Sequence, residues 1–223
     1  MFRDQSFCIN QAKNRAKELY RALQMSSPNN LTVERLRILP EYSNSNSTEL
    51  SRLKPKLKKC IEIIAKEAGF HNWKEVTEEY FWQLLTVEDM NRAIDSEPLL
   101  TPYGFGAYDS NTTYVTFKKN RIAEERATFP EYLRGFQLSC NWLRFQNMRK
   151  NLNSRFGTYS LKHKVENWAS EVGISNKYVA NGAFIAAVKH MGFRIKQLHN
   201  ESPNGKINIS SILNYPGVAN LKY

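Results

Sequence analysis

The stretch VENWASEVGISNKYVANGAFIAAVKHMGFRI, residues 165–195, constrains this chain more than any other. Ala169 is small, Gly173 stands four residues later, and Val179 six after that. A small residue lets a second helix approach, a turn residue allows a sharp bend, and an apolar residue closes the core between the two. The spacing predicts two helices around a tight turn, with Val172 and Ile174 as apolar flanks. The second helix is expected to begin near Ser175 or Asn176, both good N-caps, and to run to about Met191, with Gly192 as its stop. FRIKQLH and KINIS alternate like strands, and NESPNG between them is a turn.

Helix, turn, helix and basic hairpin, in that order, describe a winged helix. Its second helix would enter the major groove of DNA and its hairpin would lie along the adjacent backbone. The centre of that helix is unusually apolar for reading a groove: Val179, Ala183, Phe184, Ala186, Ala187 and Val188 leave few side chains to meet bases. Phosphate contact and shape readout suit it better than a rich base code. The expected nucleic-acid contacts are Lys177, Tyr178, Asn181 and Lys189 on or near the second helix, and Arg194, Lys196 and Lys206 on the wing. Lys162 and Lys164, near the start of the preceding helix, would clamp the flanking backbone. Asn181 is the candidate for a base edge, since an amide can pair bidentately with adenine; its apolar neighbours are almost as consistent with burial. Gly182 costs about 1 kcal/mol against Ala inside a helix and marks a close approach, by a neighbouring helix or by DNA.

Charge adds weight to a polyanionic partner. The net charge is +11, but residues 71–111 carry 2 Lys+Arg against 8 Asp+Glu, whereas residues 141–223 carry 12 against 3. A basic C-terminal third beside an acidic middle suggests one face built to meet nucleic acid. No apolar run approaches the roughly 20 residues needed to span a bilayer, so no membrane partner is expected. The charged N-terminus lacks the apolar core of a signal peptide. Cys8, Cys60 and Cys140 are scattered, which argues against a disulfide framework and for a reducing cytoplasm.

Elsewhere the periodicity predicts helices. Ile9, Ala12, Ala16, Leu19 and Leu23 form a stripe over residues 9–24, with a basic outer face. LTVERLRIL reads as a short helix and PEYSNSNSTEL as a polar loop. A helix over about 49–68 has its stripe at Leu50, Leu53, Leu57, Ile61, Ile64 and Ala65, tolerates Pro55 early, and ends at Gly69. HNWKEVTEEYFWQLL resumes the helical pattern. A hairpin is expected between residues 105–108 and 114–117, turning at DSNT, and a long helix over about 130–152. The fold class is therefore mostly α with small β-hairpins: an N-terminal helical domain, residues 1–97, and a C-terminal winged-helix-like domain, residues 98–223.

Two resemblances accompany this reading. AKELYRAL and IEIIAKEAGFHNWKEV resemble a small helical domain of bacterial proteins, often found beside glyoxalase-like domains. Ala16, Lys17, Leu19, Ala65, Lys66, Gly69, Phe70 and Trp73 carry the likeness, which covers about residues 9–76 with a longer link between the helices; Phe70 and Trp73 read as a plug that fixes the turn. TYSLKHKVENW, KYVANGAFIAAVKHMGF and SPNGKINIS are similar to small proteins of plasmids, phages and other mobile elements of Proteobacteria. Their pattern reads S-Y-x-L-K-H, Y-V-x-N-G-x-F-I-x-A-A, G-F, P-N and N-I. This likeness covers about residues 158–210 and implies a mobile-element setting without implying a reaction.

No catalytic role is expected. His71, His163, His190 and His199 lack the spacing of a zinc site, Y-G-F-G has no third glycine for a phosphate loop, and no cofactor or metal is implied. His163 and Glu166 share a helical face and read as a surface ion pair. The sequence thus points to a nucleic-acid-binding accessory or regulatory protein whose partner is double-stranded DNA or another nucleic acid. The alternative is an anti-defence or host-takeover inhibitor that contacts a host protein complex, its acidic segment masking a basic surface or mimicking phosphates.

Overall fold

The computed structural model describes residues 8–108, 115–116 and 118–212. It is mostly helical, and its described strands form three two-stranded antiparallel sheets. The chain divides into two compact units between Gln83 and Leu84, earlier than the expected division after residue 97. Among the described residues no helix is long and apolar enough to cross a membrane.

The N-terminal unit is built from amphipathic helices. Helix α1 (Ile9–Gln24) buries all five residues of its stripe, and burial of Leu19 or Leu23 contributes about 1.5–3 kcal/mol each. After α2 (Asn30–Glu34) the segment expected to be a polar loop turns into α3 (Ser47–Arg52). Asn46 caps it by accepting from the Glu49 amide, while Glu49 reaches back to the Asn46 amide. The single helix expected over 49–68 is two, because Pro55 has no N–H and biases Lys54 away from helical angles. The chain is extended at Leu53 and again at Lys56, and Lys54 Nζ donates to the Leu23 carbonyl at 3.0 Å. Helix α4 (Leu57–Glu67) then starts afresh and packs on α1. Gly69 ends it at φ 82°, with the Phe70 amide donating back to the Ala65 carbonyl. Phe70 is buried and Trp73 half-buried at the start of α5 (Trp73–Glu79).

The C-terminal unit is built around a helix with no exposed side along most of its length. Its elements are α6 (Val87–Ile94), β1 (Leu100–Thr101) paired with β2 (Gly104–Phe105), β3 (Ala107–Tyr108) paired with β4 (Val115–Thr116), α7 (Lys119–Arg126), α8 (Leu133–Leu143), α9 (Thr158–Glu171), α10 (Asn181–His190), and β5 (Ile195–Gln197) paired with β6 (Gly205–Ile207). Every residue of α10 from Asn181 to Val188 is buried, against α6, α8, α9 and β2. The hairpin expected around residue 105 is present at Ala107↔Thr116 and Tyr108↔Val115, while Phe105 pairs with Leu100; its DSNT turn, Tyr114 and Phe117 lie outside the described residues.

Two expected helices are shorter. Helix α8 stops at Leu143 rather than near 152, and residues 147–157 run beside β6 instead. There the Arg149 amide donates to Asn208 O at 2.7 Å and the Asn153 amide to Ile207 O at 2.8 Å. Helix α10 begins at Asn181, not at Ser175 or Asn176. Gly173 does make the predicted turn, at φ 75°, with the Ile174 amide donating to Ala169 O. The chain then crosses α8 at Gly135, where an added Cβ would stand 3.2 Å from Val179 Cα. The Val179 amide donates to Glu166 Oε1 at 2.9 Å, and this tie holds the backbone out of the helix. The order helix, turn, helix, hairpin therefore stands, but α10 is a core helix, with no side chain between Asn181 and Val188 free to enter a groove.

Candidate functional site

One turn-by-turn face of α9 opens onto a cavity. Tyr159, Lys162, His163 and Glu166 stand at i, i+3, i+4 and i+7, so a helix places them together. Tyr159, Lys162 and His163 line a cavity of about 550 Å³ with Tyr178 and Asn181 from the approach to α10, Pro102 and Tyr103 from the β1–β2 turn, and Pro203 and Asn204 ahead of β6. Three stretches far apart in sequence, TYSLKH, YVANG and SPNG, thus meet at one place.

Glu166 organises the wall beneath it. Its carboxylate accepts from the Val179 amide, from Lys162 Nζ at 3.3 Å and meets His163 Nδ1 at 2.6 Å. Burial raises its carboxyl, but the Val179 amide, His163 and Lys162 outweigh that and leave it below the ordinary glutamate value. The Lys162 side chain is only 8% exposed, with Nζ 5.2 Å from the centre of the Tyr159 ring and 5.6 Å from that of Tyr178. It does not clamp a flanking backbone from the surface, as its position in sequence suggested; Lys164, facing outward, remains exposed. Tyr159 and Tyr178 stand 55% and 61% exposed at the rim. Burial and then Glu166 push the Tyr178 phenol above its usual range, so it stays a donor at neutral pH.

Asn181 is 6% exposed and its amide faces inward. Nδ2 donates to Pro203 O at 3.0 Å, Asn204 Oδ1 at 3.1 Å and Tyr103 O at 3.3 Å, so it ties three loops rather than projecting toward a base edge. Gly182 follows because nothing larger fits: a Cβ would overlap the Thr101 carbonyl oxygen, and the Gly182 amide donates to Pro102 O at 2.9 Å.

The second group lies on the hairpin. Alternation along the chain entering β5 puts Arg194 and Lys196 on the outward face, both exposed. Lys206 is the direct cross-strand partner of Lys196. The segment laid beside β6 adds exposed Arg149, Lys150 and Arg155, and Gly157 bridges to Lys206. None of these six cations has a carboxylate partner among the described residues, whereas Lys189, also expected to contact nucleic acid, is paired with Glu97. Lys177 donates to Ser170 Oγ and belongs to neither group.

Sequence reasoning named Lys162, Tyr178 and Asn181 as well as Arg194, Lys196 and Lys206, and missed Tyr103, Tyr159, His163, Asn204, Arg149, Lys150 and Arg155. The α9 residues had a signal in their helical spacing and Asn204 stood in the P-N of the mobile-element resemblance; Tyr103 had none. Among the described residues no group of His, Cys, Asp and Glu is arranged to hold a metal ion. No protein-family model, curated protein or solved structure matches the chain.

Proposed function

We propose that the C-terminal unit binds nucleic acid through the basic face of the β5–β6 hairpin, as an accessory or regulatory protein of a mobile element. The observation that carries this reading is Lys196 directly opposite Lys206, with Arg194 on the same face. Like charges facing across a ladder destabilise a sheet by up to about 1 kcal/mol, and a row of phosphates relieves that repulsion. The hairpin fills the role of a wing, lying along the sugar-phosphate backbone. In this reading α10 is the scaffold behind the wing, and recognition rests on backbone contact.

A gel-shift titration tests it. Duplex DNA should be retarded with a log–log salt slope of roughly −4 to −5, as for about 4–6 neutralised phosphates. Arg194→Ala/Lys196→Ala/Lys206→Ala should lower affinity on every sequence and flatten the slope by roughly 2–3. Unchanged binding by the triple variant at about 0.15 M salt would remove the hairpin from the interface. If the wild type shifts no DNA yet retains a host protein complex, the inhibitor reading takes its place.

A further inference from the structure

The cavity beneath the tyrosine rim lies outside the backbone contact proposed for the hairpin. Three features define what it takes. Tyr159 and Tyr178 stand mostly exposed at the mouth of a concave site, with Lys162 Nζ over both rings. Lys162 Nζ carries three donors and, among the described residues, has one acceptor, Glu166 Oε1 at 3.3 Å. Glu166 is itself held ionised beside that ammonium. Glu166 already balances the charge of Lys162, so the fitting partner for the remaining donors of that ammonium is a neutral acceptor such as a carbonyl. A flat ring bearing a carbonyl, stacked on tyrosine, is a nucleobase.

The surroundings supply the rest of the nucleotide. Asn204 on the cavity wall is two residues from Lys206, and Tyr159 is two residues from Gly157, which bridges to Lys206. A strand whose base enters the cavity has its phosphates beside the unpaired cations of the hairpin.

We infer that the cavity seats the base of an unpaired nucleotide, its ring against the tyrosine rim and a base carbonyl accepting from Lys162 Nζ. This rests on the nucleic-acid reading of the hairpin for the strand, though not for a free nucleotide of the same chemistry. A base in a continuous duplex has its edge paired and its faces stacked, and entry requires that it leave the stack. Single strands are thus bound more tightly than duplex at equal phosphate number. Adenine, which has no carbonyl, is the poorest occupant.

Fluorescence anisotropy with labelled 12-mers at fixed salt tests this. Tyr159→Ala/Tyr178→Ala should weaken binding of a thymidine strand about 10-fold, as expected for one lost stack, and leave duplex binding unchanged. Both rings are mostly exposed, so the fold should survive, and thermal unfolding checks that it does. Tyr159→Phe/Tyr178→Phe should restore binding, since the ring and not the hydroxyl stacks. A fully abasic strand should bind the wild type as weakly as the thymidine strand binds the alanine variant. Lys162→Met should shrink the preference for a thymidine over an adenosine strand, a ratio that general loss of charge does not alter.

Thymidine monophosphate alone separates the two sources. A rise in melting temperature with this mononucleotide, lost in the alanine variant, assigns the cavity to free nucleotides even if strands bind no better than duplex. Strand selectivity without that rise assigns it to a base within a strand. If thymidine, abasic and duplex ligands bind wild type and alanine variant alike, and the mononucleotide shifts nothing, the cavity takes no base. The hairpin reading would stand in that case, because it is judged by the salt slope of the hairpin variant alone.

Discussion

Helices α1 and α10 follow opposite rules. Helix α1 buries one stripe and leaves its lysines and arginines to water; α10 buries eight consecutive residues and leaves solvent only its end. A half-exposed helix must alternate apolar and polar residues at the helical period, so its sequence announces it. A helix surrounded by protein is apolar on every side, and the information in its sequence is about size instead: Gly182 where Thr101 passes, and buried alanines along a helix packed on α6 and α8. In the C-terminal unit, the side chains that reach solvent therefore lie around α10, at the cavity by its start and on the hairpin after its end.

The contrast is easiest to break at its tightest point. Gly182→Ala places a Cβ in the Thr101 carbonyl, and backbone on both sides leaves no flexible side chain to move. The cost should reach about 3 kcal/mol or more, a fall in Tm on the order of 10 °C for a unit of this size. Ala16→Gly in α1, also buried, should cost about 1–2 kcal/mol through propensity and a lost methyl. Equal effects in a thermal melt would mean that the two helices are packed alike.

Glu166 sharpens the comparison through pH. Its folded pKa is below the ordinary value, so its contribution to stability is complete above that value and is lost as pH falls through the folded one. Glu166→Gln should accordingly be less stable than wild type at pH 7, with the gap closing as pH falls below the ordinary glutamate range. The segment released would be the one that precedes α10, since the Val179 amide loses its carboxylate. A gap that stays constant with pH would show that the charge on Glu166 plays no part in holding that segment.

The smallest effect has the more informative sign. Lys206→Ala removes one of two facing cations and should stabilise the fold by about 0.2–1 kcal/mol, while weakening nucleic-acid binding. A hairpin that becomes more stable as it loses affinity is one whose charge serves a partner. Loss of stability on that substitution would mean that the lysine stem packs against the sheet.

Much of this was legible in the chain. The α1 stripe, the Gly173 turn, the stop after α10 and the β5–β6 hairpin all follow from periodicity and turn chemistry. The start of α10 does not: Ser175 and Asn176 are good caps locally, yet the Glu166 tie and the crossing at Gly135 overrule them. The C-terminal part of the expected 130–152 helix is lost for a similar reason, because β6 offers it backbone partners. At the cavity, the α9 face was written in the spacing of Tyr159, Lys162, His163 and Glu166. That Asn181 would bond to Tyr103, 78 residues away, depends on how the loops close and has no local trace.

The Asn181–Gly182 pair also sets how this protein ages. In an open chain, asparagine followed by glycine deamidates readily, because the glycine nitrogen attacks the side-chain carbonyl with no side chain in its way. Here the Gly182 nitrogen is engaged with Pro102 O and helical geometry turns it from the amide, which is itself bound to three acceptors. The native fold shelters this asparagine, one of two in the chain that precede a glycine (the other is Asn204), and unfolding exposes it. A molecule that unfolds long enough to deamidate gains a carboxylate where those carbonyl and amide oxygens need a donor, and it cannot rebuild the junction. Damage at this one position would record the time each molecule has spent unfolded.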